Sequence, residues 1–164
     1  GPIGGLGEYR KVKVGLPEIC PSSILPEAAC GLPASAMSAN CKHIVRDYIQ
    51  KGDRVLMIGG SGGVGTCGLQ YAKLAGASFV AAVSTQLDLC KRLGADQVID
   101  YRSNSKWWDI AEFQEHKFDV AIDLVNGDNW TVGGCSGKVI KPTGTMLPYY
   151  REWKQKWKSS QCGT

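Results

Sequence analysis

Histidine is scarce in this chain: there are two in 164 residues. His43 falls in a helical stretch before the main glycine cluster, and His116 falls in a turn. Neither makes a credible acid–base pair, so proton-transfer chemistry by paired side chains is not written in this sequence. Long apolar runs are missing too. None approaches the roughly 18 to 20 residues that a membrane span needs, and the N-terminus shows no basic-then-apolar leader. The seven cysteines (Cys20, Cys30, Cys41, Cys67, Cys90, Cys135 and Cys162) are odd in number and include no C-x-x-C pair. That argues against a disulfide scaffold and for a reducing, cytoplasmic setting. Cys41 and His43 are the one close Cys/His pair, and two possible ligands without a matching pair do not make a zinc site.

Charge is uneven. The net charge is +4, and Arg151, Lys154, Lys156 and Lys158 crowd the end of the chain. Trp153 and Trp157 are four apart there, on one face of a helix if one forms. Such a segment docks on protein through its Trp face, or it meets RNA or a membrane surface. The rest of the chain carries no basic stripe, which favours docking. The apolar fraction of 43% and charged fraction of 21% are average, and they fit one ordinary α/β domain of this length.

Glycine is what the chain has in quantity, and its placement is informative. Arg54 to Ile58 is a short apolar strand. Gly60, Gly62 and Gly65 follow with the spacing G-x-G-x-x-G, and a helical pattern runs on from residue 63 to 75. In a dinucleotide-binding βαβ unit the first glycine makes the tight turn, the second lets backbone approach a pyrophosphate, and the third lets helix and strand pack closely. The helix N-terminus then offers unpaired N–H groups to the phosphates. A nucleoside-triphosphate P-loop needs Lys after its last glycine. Here Thr66 follows Gly65 with no Lys, which argues against that rival.

The spacing predicts strands over 54–58, 79–83, 97–100, 118–124 and 144–147. Helices are predicted over 63–75 and 87–93, with helical turns in the Trp-rich segment 106–113 and part of 128–141. Ahead of these, residues 8–14 read as a strand, 27–32 as a helix and 35–50 as a second helix. Strands alternating with helices argue a parallel, doubly wound sheet with helices on both faces and a ligand crevice at the C-terminal strand ends. The expected organisation is a linker region over 1–50, a dinucleotide-binding domain over 51–148 and a basic tail over 149–164.

The second strand speaks to the cofactor. NAD sites place an acid about 20 residues after the glycine turn, on the ribose 2′-OH. Here the point reads Val83-Ser84-Thr85-Gln86, without an acid. A 2′-phosphate about 4 Å from a carboxylate would meet roughly 4 kcal/mol of repulsion per unit charge at an effective dielectric of 20. Hydroxyls and an amide give hydrogen bonds instead, so NADPH is expected over NADH. Lys91 and Arg92 read as solvated surface cations.

These residues carry a resemblance. Gly59 to Gly65, Gln70-x-Ala72-Lys73, Gly76-Ala77, Leu93-Gly94-Ala95-Asp96 and Val98 to Tyr101 resemble the medium-chain dehydrogenase/reductase superfamily. Within it they are similar to the zinc-independent quinone oxidoreductases of the zeta-crystallin type, a likeness running from about Gly5 to Pro148. The resemblance implies that Gly60, Ser61, Gly62, Gly63, Val64 and Gly65 hold the pyrophosphate. It implies that Ser84, Thr85 and Gln86 face the adenosine ribose and its 2′-phosphate, with Tyr101 reaching that phosphate; Tyr101 reads equally as a core-edge aromatic. Leu124, Val125 and Asn126 would lie near the nicotinamide ribose, and Leu147 and Pro148 near the nicotinamide. No metal is expected: zinc-dependent relatives carry a ligand in the linker, where Leu32 to Ser35 stand here with Cys30 offset.

Family members are about twice as long, so the resemblance implies a cofactor-domain fragment whose sheet lacks its last strand. The expected activity is hydride transfer from NADPH to a quinone. An enoyl or alkenal reductase, or a non-catalytic adapter binding RNA or protein, are the alternatives. A second copy of the chain is the expected partner, with no membrane and no nucleic acid.

Overall fold

The computed structural model describes residues 11, 13, 15, 19–40, 47–125 and 138–148. The strand expected over 8–14, most of the helix ending at 50, the segment 126–137 and the basic tail lie wholly or largely outside these residues.

Five strands form one all-parallel sheet: β1 (Arg54–Ile58), β2 (Phe79–Val83), β3 (Gln97–Ile99), β4 (Phe118–Asp123) and β5 (Ile140–Pro148). Their order is β3-β2-β1-β4-β5. The chain leaves β1 towards β2 and β3, then returns across the sheet to β4 and β5. The reversal opens a crevice between the C-terminal ends of β1 and β4, where ligands of such sheets bind. Among the described residues β3 pairs only with β2, and β5 only with β4, so these two are its edges.

Both faces of the sheet are covered, which is why the strands read as continuous apolar runs. Val55, Met57, Val80, Ala82 and Ile122 face helices α3 (Gly63–Leu74) and α4 (Leu87–Arg92), packing with Leu69, Ala72 and Cys90. Leu56, Ile58, Ala81, Val83 and Ala121 face the other way, against Trp107, Phe113 and Val139. That layer holds a 3-10 turn, Trp107–Asp109, and helix α5 (Ala111–Glu115).

The Leu-Gly-Ala-Asp run is a helix stop and a strand guide. Gly94 takes φ +105; its N–H donates to the Lys91 carbonyl, and the Ala95 N–H to that of Cys90, both at 3.0 Å. This is a Schellman closure, which needs a left-handed residue. α3 closes in the same way at Gly76 and Ala77. Asp96 then accepts from the Val80 N–H at 2.7 Å and from Lys73 Nζ at 2.5 Å, tying β2 to α3.

The linker and β5 differ from expectation. The helix read over 27–32 is the single turn α1 (Pro26–Ala29). A π-helical turn, Leu32–Ala36, follows and runs into α2 (Met37–Asn40). Asp47 and Tyr48 form a turn, so the helix does not reach residue 50. Gly31 and Pro33 break the first helix, and the π turn re-phases the second. β5 starts at Ile140, earlier than the predicted 144, and takes in Pro142 and Gly144. Both fit in an edge strand at a register irregularity, which falls between Phe118 and Val120 of its neighbour.

Candidate functional site

The turn after β1 is built from backbone. Gly59 takes φ +87, a left-handed conformation. The Gly59 and Gly60 N–H groups both donate to the Val83 carbonyl, at 3.0 and 3.4 Å. The Gly62 N–H donates to the Gly59 carbonyl at 3.1 Å. The tight-turn glycine is therefore Gly59, not Gly60 as the G-x-G-x-x-G spacing suggested. Gly60 is instead a packing position: a Cβ there would sit 2.9 Å from Ala82 Cβ and 3.4 Å from Cys90 Sγ. Gly65 keeps the role expected of the third glycine. A Cβ on it would strike the Gly59 carbonyl oxygen and lie 2.8 Å from that of Gly60.

Gly62 caps α3 without a side-chain hydrogen bond, and the Thr66 N–H donates to the Gly62 carbonyl at 2.8 Å. The N–H groups of Gly63, Val64 and Gly65 precede that bond at the positive end of a 12-residue helix. Gly62 and Gly63 are exposed. These N–H groups form a cradle of a kind that suits a pyrophosphate; the Ser35 hydroxyl stands over Gly63, 2.7 Å from where a Cβ would lie.

A cleft of about 780 Å³ opens over this turn, a size that suits a cofactor. Ser61, Gly62, Gly63, Val64 and Gly65 line its floor, and Ser84, Thr85 and Tyr101 its β2–β3 side. Leu124 and Val125 line the opposite rim. The fold thus brings together ten of the residues singled out in the sequence. Gly60 lies beneath the floor, and Gln86 is exposed at the start of α4 rather than on the lining. Leu147 is a buried core residue, 3% exposed, and does not line the cleft. Pro148 pairs with Asp123 at the strand end, and Asn126 lies outside the described residues.

Ser84 sits deeper than expected. It is 2% exposed, and its Oγ accepts from the Gln86 N–H at 3.0 Å. The Cys90 thiol lies against the same hydroxyl: burial pushes that thiol's pKa up, and the Ser84 hydrogen bond opposes the shift. Thr85 is thus the more accessible of the two hydroxyls. Among the described residues no Asp or Glu lines this side of the cleft. Asp88 is exposed on α4, and Asp100 is turned into its own loop, accepting from the Arg102 N–H at 2.8 Å.

Asp123 lies outside the lining and carried no expectation. It is fully buried at the end of β4 and accepts from the Val125 N–H at 2.9 Å. This turn shapes the rim: a Cβ on Gly59 would lie 2.8 Å from Val125 Cγ2. Ile58, Gly59, Val83, Ser105, Trp107 and Trp108 complete the lining. Strand-end positions flag the first three, whereas the helical reading of 106–113 gave no sign that its tryptophans reach the cleft. Among the described residues no three His, Cys, Asp or Glu side chains cluster as metal ligands, and no helix is long and apolar enough to cross a membrane.

A family model described as zinc-binding dehydrogenase matches residues 63–147, from the start of α3 into β5. The chain belongs to the medium-chain dehydrogenase/reductase superfamily. It is 35% identical over 151 residues to the NADPH-dependent alkenal/one oxidoreductase, chloroplastic, of Arabidopsis thaliana, covering 89% of this chain and 38% of that protein. The quinone oxidoreductase from Coxiella burnetii superposes with a TM-score of 0.57 at 32% identity, over 73% of this chain and 35% of that one. The CurK enoyl reductase superposes with a TM-score of 0.64 at 25% identity, over 85% and 43%. The chain spans about a third of the length of the curated relatives it matches.

Proposed function

We propose that this chain is the NADPH-binding part of an oxidoreductase that delivers hydride to a quinone. The observation that carries the cofactor reading is the acid-free ribose end of the cleft: Ser84 and Thr85 stand where an NAD site places a carboxylate. The backbone cradle at Gly62 to Gly65 takes the pyrophosphate. Leu124 and Val125 form an apolar rim for the other half of the dinucleotide.

The lining also limits the chemistry. Among the described residues it holds hydroxyl, aromatic and aliphatic side chains and no His, Lys, Asp or Glu. Bound NADPH supplies the hydride, and the protein's part is to bind, orient and exclude water. Quinone reduction suits this: the quinone gains a hydride and then a proton from solvent, and NADP+ is left. The enal reading is the second, favoured by the printed name of the 35%-identical Arabidopsis relative.

The acceptor's pocket is completed by residues outside these 164. NADPH loss is therefore followed with a small benzoquinone and with an α,β-unsaturated aldehyde, using this chain and a relatives'-length protein that contains it. Turnover is expected only in the longer protein, with the quinone ahead. A faster enal reaction would replace the acceptor by the second reading. Comparable turnover by the 164 residues alone would overturn the division of the pocket.

A further inference from the structure

The side of the cleft nearest β3 is aromatic. Trp107 is anchored in the core at 2% exposure, packed with Phe113 and Phe118 on the sheet face opposite α3 and α4. Its neighbour Trp108 is half-buried and meets it edge to face, with ring centroids 5.6 Å apart and planes at 78°. The Gln114 side-chain amide donates to the Trp108 carbonyl at 3.4 Å. The next residue, Asp109, is bound by Lys138 at 2.8 Å. A buried partner ring and a tied backbone thus hold Trp108 in place. Both tryptophans, Ser105 and the exposed Tyr101 line the cleft.

The strand order decides which half of a dinucleotide reaches this wall. The pyrophosphate sits at the N-terminus of α3. The ribose at the end of β2 is the adenosine ribose, because it carries the 2′ group that separates NADP from NAD. β3 lies outward of β2, so the base beyond that ribose is adenine. The nicotinamide half runs the other way, towards β4 and its Leu124–Val125 rim.

Adenine is flat and uncharged, and it offers an aromatic side chain its whole face. Stacking of this kind tolerates the polar edges of the base, which keep their water. We infer that Trp108 is the stacking platform for the adenine ring, held at its angle by Trp107. The inference rests on the dinucleotide reading of the cleft and assigns a specific residue within it.

Calorimetry and tryptophan emission test this with 5′-AMP, NADPH and NADH as probes. Trp108→Ala is expected to weaken all three by about tenfold, because all share adenine. Trp108→Phe keeps a ring, so it should hold AMP affinity within about threefold while losing most of the AMP-induced change in emission. If Trp108→Ala fails the circular-dichroism check for folding, the Phe variant decides. Wild-type binding with both variants unchanged in affinity and in emission response would overturn the inference and leave the cofactor reading standing. Failure of the wild-type chain to bind any of the three nucleotides would remove that reading, and the inference with it.

Discussion

Asp119 and Asp123 stand near opposite ends of β4 and do different work. Asp123 shapes the cleft rim, as described. Asp119 is far from the cleft and clamps three strands. It accepts from the Arg54 N–H of β1 at 3.0 Å and from Lys141 Nζ of β5 at 2.6 Å. Arg54 adds its guanidinium over the Phe79 ring at 4.1 Å. Partial burial pushes the Asp119 carboxyl up, but the Arg54 N–H, the Lys141 hydrogen bond and the two positive charges outweigh it and hold its pKa below the ordinary 3.8. A carboxyl depressed on folding stabilises the fold above its unfolded pKa and stops doing so as pH falls through the lower, folded value. Asp119→Asn should therefore lower stability at neutral pH and flatten its loss below about pH 4. Urea unfolding across pH checks this, and an unchanged acid limb would count against the clamp. None of this was legible in the sequence. Phe-Asp-Val-Ala-Ile-Asp reads as a strand, but the partners of its acids are 65 and 22 residues away for Asp119.

At the scale of elements, the sequence was most readable where one short βαβ unit decides everything. The strands 54–58 and 79–83 stand as predicted, and α3 and α4 each end one residue early. Apolar runs and helix stops are local signals, so little tertiary context was needed. Reading the role of each glycine needed more, because G-x-G-x-x-G spacing does not tell turn from packing. Gly65 shows the difference: its constraint is the backbone of the turn, which cannot swing aside as a side chain can. Gly65→Ala should destabilise the domain by about 1–3 kcal/mol through overpacking and weaken nucleotide binding with it. Denaturant unfolding and calorimetry on the same variant check this. Full stability together with full binding would show that α3 is not wedged against the turn. The linker was the least legible element. Its Gly31–Pro33 interruption leads into a π turn, which no simple periodicity marks.

For the whole molecule, the sheet reversal between β1 and β4 turns separate sequence signals into one cleft. The fingerprint, the Ser-Thr pair after β2 and the Leu-Val pair after β4 are distant in the chain and adjacent at the strand ends. The fold class was legible because strand–helix alternation has few compact solutions. The aromatic wall was not, because the crossover that returns the chain to β4 places Trp107 and Trp108 there, and nothing in their local sequence says so. The cleft is proposed to hold NADPH, selected because no described acid stands at the end of β2. Thr85 is the better probe of that claim than buried Ser84, whose replacement would also disturb the start of α4. The measurement is calorimetric titration of the chain and its Thr85→Asp variant with NADPH and with NADH. A new carboxylate beside the 2′-phosphate, at roughly 1–4 kcal/mol of repulsion per unit charge between water-like and surface dielectric, should weaken NADPH by about tenfold or more. NADPH should bind the wild-type chain more tightly than NADH, and Thr85→Asp should erase that preference while leaving NADH within about twofold. Equal or tighter binding of NADH by the wild-type chain would contradict the account.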